Sequence, residues 1–96
     1  MIKVNKKDNI ITICGHANSA DYGKDIVCAS VSSVVYTTVN ALERYSSSVI
    51  DFEDKDIMTI TILKEDEIVK LLIDNMIDLL KSLEEDYPKN INVKEN

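Results

Sequence analysis

Apolar and polar positions alternate from Met1 to Lys6, with Ile2 and Val4 set against Lys3 and Asn5, the period of a half-buried strand. Lys7-Asp8-Asn9 is a turn signal, and Ile10–Cys14 is a second apolar, β-branched run, so a hairpin ending at Gly15-His16 is predicted. Ala17–Lys24 is small and polar and holds Gly23, the pattern of a surface loop. From Asp25 the period becomes helical. Val27, Val31, Val34, Val35, Thr38, Val39 and Leu42 fall on one stripe. Val, Ser and Thr are poor helix formers, but a length of about 20 residues decides for helix over strand. Ser46-Ser47-Ser48 breaks the pattern. Val49–Phe52 and Ile57–Leu63 then predict two strands joined by the charged turn Glu53–Asp56. Glu65-Asp66-Glu67 suits a helix N-terminus, and Ile68, Leu71, Leu72, Met76, Leu79, Leu80 and Leu83 mark the stripe of a second helix that Tyr87-Pro88 ends. Ile91-Asn92-Val93 predicts a short last strand.

The order β-β-α-β-β-α-β, with one apolar stripe per helix and one apolar face per strand, predicts an α+β two-layer sandwich, two helices packed on one sheet. The repeat of ββα is a rough two-fold echo. A length of 96 residues is one domain's worth, expected to span 1–96. At this size the core is thin, and pairing with a second copy would bury more surface.

Seventeen acidic against eleven basic residues give a net charge of −6, with no basic run. That argues against direct nucleic-acid binding and suits a basic partner. The alternating N-terminus is not a secretory signal, and no uninterrupted apolar run approaches the ~20 residues of a membrane helix. A cytoplasmic location without membrane attachment is therefore expected. There the thiols of Cys14 and Cys28 stay reduced.

A cysteine in that compartment is a small core residue or a working thiol. If Asp25 caps the first helix, Cys28 occupies its first turn, where unpaired N–H groups and the helix dipole favour a thiolate and could steady an oxyanion. The alternative is a packing residue beside Val27 and Ala29. His16 is the single histidine. It stands at one end of the loop whose other end leads to Cys28, so a Cys–His pair is within reach of the topology. The alternative is a strand-end histidine satisfied by backbone. Cys14, two residues before His16, is expected on the same strand face; Cys14, His16 and Cys28, with Asp21 or Asp25 as a fourth ligand, could then hold zinc, though the spacing matches no common zinc pattern. Packing in the core suits Cys14 better, and no metal or other cofactor is expected. Ser32, one helical turn after Cys28, is a candidate for binding substrate backbone, or else a small packing residue. Asp25 reads as a helix cap before it reads as an orienter of His16. Gly23 suits a loop position of unusual backbone geometry.

Gly15-His16-Ala17, then Gly23, then Asp25-Ile26-Val27-Cys28-Ala29 with Val31-Ser32 resembles the ribosomal-processing cysteine protease family, Prp. The resemblance runs the length of the chain, and its specific part is residues 15–32. It implies removal of a short N-terminal extension from a ribosomal large-subunit protein, number twenty-seven of the bacterial series, with cleavage after an aromatic residue. It further implies a Cys28–His16 dyad without a clear third member, a homodimer, and a mobile loop over Ala17–Lys24. Gly15, Gly23, Asp25 and Ser32 are expected as substrate-binding positions. Competing readings are a ribosome-associated binding module without proteolysis, a thiol redox or metal protein using Cys14 with Cys28, and a dimeric scaffold.

Overall fold

The computed structural model describes residues 1–15 and 22–96, with side chains from Ile26 onward in the second stretch. Its elements are β1 (Ile2–Lys7), β2 (Ile10–Cys14), α1 (Tyr22–Tyr45), β3 (Ile50–Asp54), β4 (Met58–Ile62), α2 (Glu67–Asp86) and β5 (Ile91–Glu95). The five strands form one mixed sheet in the order β3-β4-β2-β1-β5. The β1–β5 pair is parallel and the other pairs are antiparallel. The two ββ hairpins lie side by side with their second strands, β2 and β4, adjacent at the centre. That is the spatial form of the two-fold echo in the sequence.

Register explains the layers. Val4 stands opposite Ile13, Ile11 opposite Ile60, Ile13 opposite Met58, Ile2 opposite Ile91 and Ile50 opposite Ile62. Directly opposed residues share a face, so these side chains form a single apolar surface. All of them are buried. Lys3, Asn5, Thr12, Cys14, Thr59 and Thr61 alternate onto the other face.

The first helix lays Val27, Val31, Val35, Val39 and Leu42 onto the apolar face, each 3 % exposed or less. The predicted stripe is therefore the observed one, with Thr38 buried and bonding the Val34 carbonyl at 2.9 Å. Burial overrides the weak helix propensity of the valines. From Ile26 to Tyr45 the helix is long and apolar enough to cross a membrane by length and composition alone. A third of that stretch is buried, on the stripe that faces the sheet.

The second stripe differs from expectation. The buried residues of α2 are Val69, Ile73, Met76, Ile77 and Leu80, whereas Ile68, Leu71 and Leu79 are exposed. The leucines and isoleucines of α2 make two adjacent stripes, and periodicity alone picked the outer one for several positions. Asp66 is the N-cap, its carboxylate accepting the Val69 N–H at 2.9 Å, and Tyr87 closes the other end through its N–H to Leu83.

Two tyrosines of α1 tie it to the ends of the hairpin β3–β4. Tyr36 donates to Asp54 at the β3–β4 turn, and Tyr45 donates to Asp66 at the start of α2. The Tyr45 bond, then the Val69 N–H, hold the Asp66 carboxyl below its ordinary 3.8, while the same bond raises the Tyr45 hydroxyl above 10.0. A depressed carboxyl contributes stability above its unfolded value and loses it as pH falls through the folded one. A raised phenol contributes below its unfolded value and loses it at higher pH. Asp66→Ala is therefore expected to lower the melting temperature at pH 7. The gap from the native chain should shrink as pH drops below 3.8. A gap unchanged over that range in thermal unfolding would contradict the capping account.

Candidate active site

One end of the sandwich gathers the start of β1, the end of β2 and the β3–β4 turn, since Lys3 opposes Cys14 and Ile13 opposes Met58. The chain leaves β2 through Gly15, whose φ of +75° lies in the left-handed region. A Cβ at this position would stand 2.5 Å from the Met1 carbonyl oxygen. Both the conformation and the close approach require glycine. Gly15 thus has a backbone reason for its identity, and it directs the chain into His16. His16 itself, with Ala17–Asp21, lies outside the described residues.

Cys28 is half-buried on α1, packed against the core cluster between fully buried Val27 and exposed Ala29. Ser32 is half-buried one turn later. At 3.6 residues per turn the two share a flank of the helix that borders the core without being part of it. A thiol there packs against apolar neighbours on one side and keeps partial exposure on the other.

Two expectations are corrected. First, α1 begins at Tyr22, so Asp25 is inside its first turn and is not the N-cap. Gly23 and Lys24 are helical and do not belong to the loop. Cys28 is consequently the seventh helical residue. The unpaired amides of the first turn are those of Tyr22 to Asp25, and the dipole effect fades beyond that turn. The first-turn amides and the positive end of the dipole therefore lie away from the thiol.

Secondly, Cys14 is not a core residue. It opposes Lys3 on the outer face, whereas Cys28 stands on a helix covering the inner face. The sheet separates them, which disfavours a disulfide or a zinc site shared by the two. The expected alignment of Cys14 with His16 on one strand face involves a residue outside the described ones. Among the described residues no three His, Cys, Asp or Glu side chains stand together as a metal site.

The structure also brings forward residues that the sequence did not single out. Tyr36, two turns after Cys28, meets Phe52 of β3 edge to face, ring centroids 5.7 Å apart. With the bond to Asp54, this packs the Cys28–Ser32–Tyr36 flank of α1 beside the edge strand. The Asp54 bond raises the Tyr36 hydroxyl above 10.0, so it remains protonated as donor at neutral pH. The signal available in sequence was slight: Phe52 is the chain's single phenylalanine.

With this geometry in place, comparison with known proteins decides the family. Residues 1–92 match the family model described as cysteine protease Prp. The chain belongs to the cysteine protease Prp family. It is therefore a cysteine protease, a hydrolase of peptide bonds. Among relatives, the "Ribosomal processing cysteine protease Prp" of Staphylococcus aureus (strain Mu50) is 30% identical over 96 residues, covering 94% of this chain and 91% of that protein. The protein of the same name from Bacillus subtilis (strain 168) is 34% identical over 90 residues, covering 85% and 80%. The crystal structure of the S. aureus protease Prp in complex with a substrate peptide superposes with a TM-score of 0.91 at 28% identity, covering both chains fully.

Gly15→Ala is expected to destabilise the fold by about 2 kcal/mol, from left-handed backbone strain and the contact with Met1. Chemical denaturation measures this directly. A change below about 0.5 kcal/mol would mean the glycine is not needed for the backbone path.

Proposed function

We propose that this chain, acting as one catalytic domain over residues 1–96, removes the N-terminal extension of ribosomal large-subunit protein twenty-seven of the bacterial series. The reaction takes place in the cytoplasm during ribosome assembly. The observation that carries this reading is the position of Cys28: half-buried on the core-bordering flank of α1, in a chain matching the Prp family over residues 1–92. Relatives named ribosomal processing proteases, and a relative solved with a substrate peptide, support a protein substrate.

In this reading His16 removes the thiol proton of Cys28, or the two stand as an ion pair. The thiolate attacks the scissile carbonyl carbon, and the carbonyl electrons move to oxygen. Collapse expels the amine with a proton from His16, and water then hydrolyses the acyl-enzyme. Because Cys28 lies in the second turn of α1, the base carries the activation and no cofactor or metal enters the scheme. Gly15 sets the path of the chain into His16, and Ser32 is placed on the flank of Cys28 to meet substrate backbone; Gly23 and Asp25, in the first turn, are further candidates for that contact. The net charge of −6 favours a basic protein partner over RNA.

A homodimer is part of the proposal. Ile68, Leu71 and Leu79 lie along one exposed strip of α2, beside a shallow groove lined by Val34, Thr37 and Asn75. Such a strip is apolar surface that a second copy would cover. Light scattering is expected to give a dimer mass for the native chain and a monomer for Leu71→Glu. A native monomer would contradict this part.

Mass spectrometry of the extended ribosomal-protein precursor tests the activity itself. The native chain should produce one new N-terminus, and Cys28→Ala and His16→Ala should abolish it. Binding of the precursor without cleavage would instead support a ribosome-associated module of the same fold.

A further inference from the structure

The sheet has two edges, and they are treated differently. On β5, the Val93 N–H donates to the Glu84 carboxylate at 3.0 Å, and Asn92 Nδ2 reaches the same oxygen at 3.3 Å. That edge is closed at its middle by a side chain of α2. On β3 the pairing pattern is legible from one bond: the Leu63 N–H donates to the Val49 carbonyl at 2.8 Å. Hydrogen-bonded and non-bonded pairs alternate along an antiparallel ladder. Asp51 and Glu53, opposite Thr61 and Thr59, therefore turn their backbone groups toward β4, while Ile50, Phe52 and Asp54 turn theirs outward. Among the described residues no hydrogen bond covers these outward groups.

We propose that the outward edge of β3 receives the substrate segment as an added strand. This rests on the protease reading and names where its substrate lies. An extended chain pairing there would satisfy the exposed N–H and C=O groups of Ile50, Phe52 and Asp54 by β-augmentation. Charge selects the occupant. Asp51, Glu53, Asp54 and Asp56 are all exposed, with Lys55 as the one cation among them, itself 3.1 Å from Glu53. Such an edge repels a second copy of an acidic chain and attracts a basic peptide.

The site also lies within reach of the nucleophile. Tyr36 rests against Phe52, and Cys28 precedes Tyr36 by eight residues on the same helix. At 1.5 Å per residue that is about 12 Å along the axis. An extended peptide covers this in about four residues at 3.3 Å each. A segment held on β3 thus carries its scissile bond to Cys28 within about four residues of Asp54.

The test uses a synthetic peptide spanning the cut junction of the organism's own extended ribosomal protein. Amide hydrogen exchange is followed by NMR in Cys28→Ala, with and without peptide. The proposal expects the amides of Ile50, Phe52 and Asp54 to become protected when peptide is added. In kinetics, Phe52→Pro removes an outward N–H without touching the β4 ladder, and Phe52→Leu controls for the lost ring. Phe52→Pro should raise KM about tenfold beyond Phe52→Leu, with kcat little changed, as loss of a main-chain hydrogen bond predicts. Cleavage by the native chain with β3 exchange unaffected by peptide would overturn the docking and leave the protease standing. Absence of cleavage by the native chain would overturn both. Protection of the β3 amides that rises with protein concentration alone would assign the edge to a second copy and overturn the proposal.

Discussion

Val27, Val31, Val35, Val39 and Leu42 lie out of water against the sheet's apolar face, and this seam fixes how α1 is rotated about its own axis. Each side chain contributes about 1.5–3 kcal/mol of burial, so turning the helix by even one residue would expose several of them. Rotation set in this way leaves Cys28 and Ser32 half-covered at the border of the core. The same constraint decides where Tyr36 and Tyr45 emerge, and these then latch α1 to Asp54 and Asp66. The position of the thiol is thus a consequence of packing well away from any chemistry.

That position also changes how its reactivity is explained. A cysteine in the first helical turn can draw on unpaired amides and the helix dipole. With α1 beginning at Tyr22, those amides precede Cys28 by three residues or more. In the proposed mechanism, proton removal by His16 is the main source of thiolate. The left-handed Gly15, pressed against the Met1 carbonyl, then matters because it sets the path of the chain immediately before His16. Packing in the helix layer and the left-handed glycine at one strand end together shape the end of the sandwich where the proposed site lies.

Much of this was legible in the residues. Alternation in β1 and β2, the valine stripe of α1 and the acidic start of α2 each follow from a single periodicity, and they gave the element order. The stripe of α2 was misread because Ile68, Leu71 and Leu79 compete with Val69, Ile73 and Ile77, and only the tilt of the helix on the sheet decides between them. The start of α1 was misplaced because Asp25 is a good cap by type, yet the helix begins three residues before it. Cys14 and Cys28 looked available to one site in the linear sequence. Strand alternation and the helix layer put them on opposite sides of the sheet. The parallel β1–β5 pair, and with it the contrast between a closed and an open edge, depends on long-range pairing that no local pattern encodes.

The central claim is that a base, rather than the helix terminus, makes Cys28 reactive. Its most direct measure is the rate of alkylation of each cysteine by iodoacetamide near pH 7, read by peptide mass spectrometry in the native chain and in His16→Ala. The account predicts that Cys28 reacts about tenfold or more faster than Cys14, and that His16→Ala removes most of the difference. Equal rates in the native chain, or a Cys28 rate indifferent to His16→Ala, would contradict it.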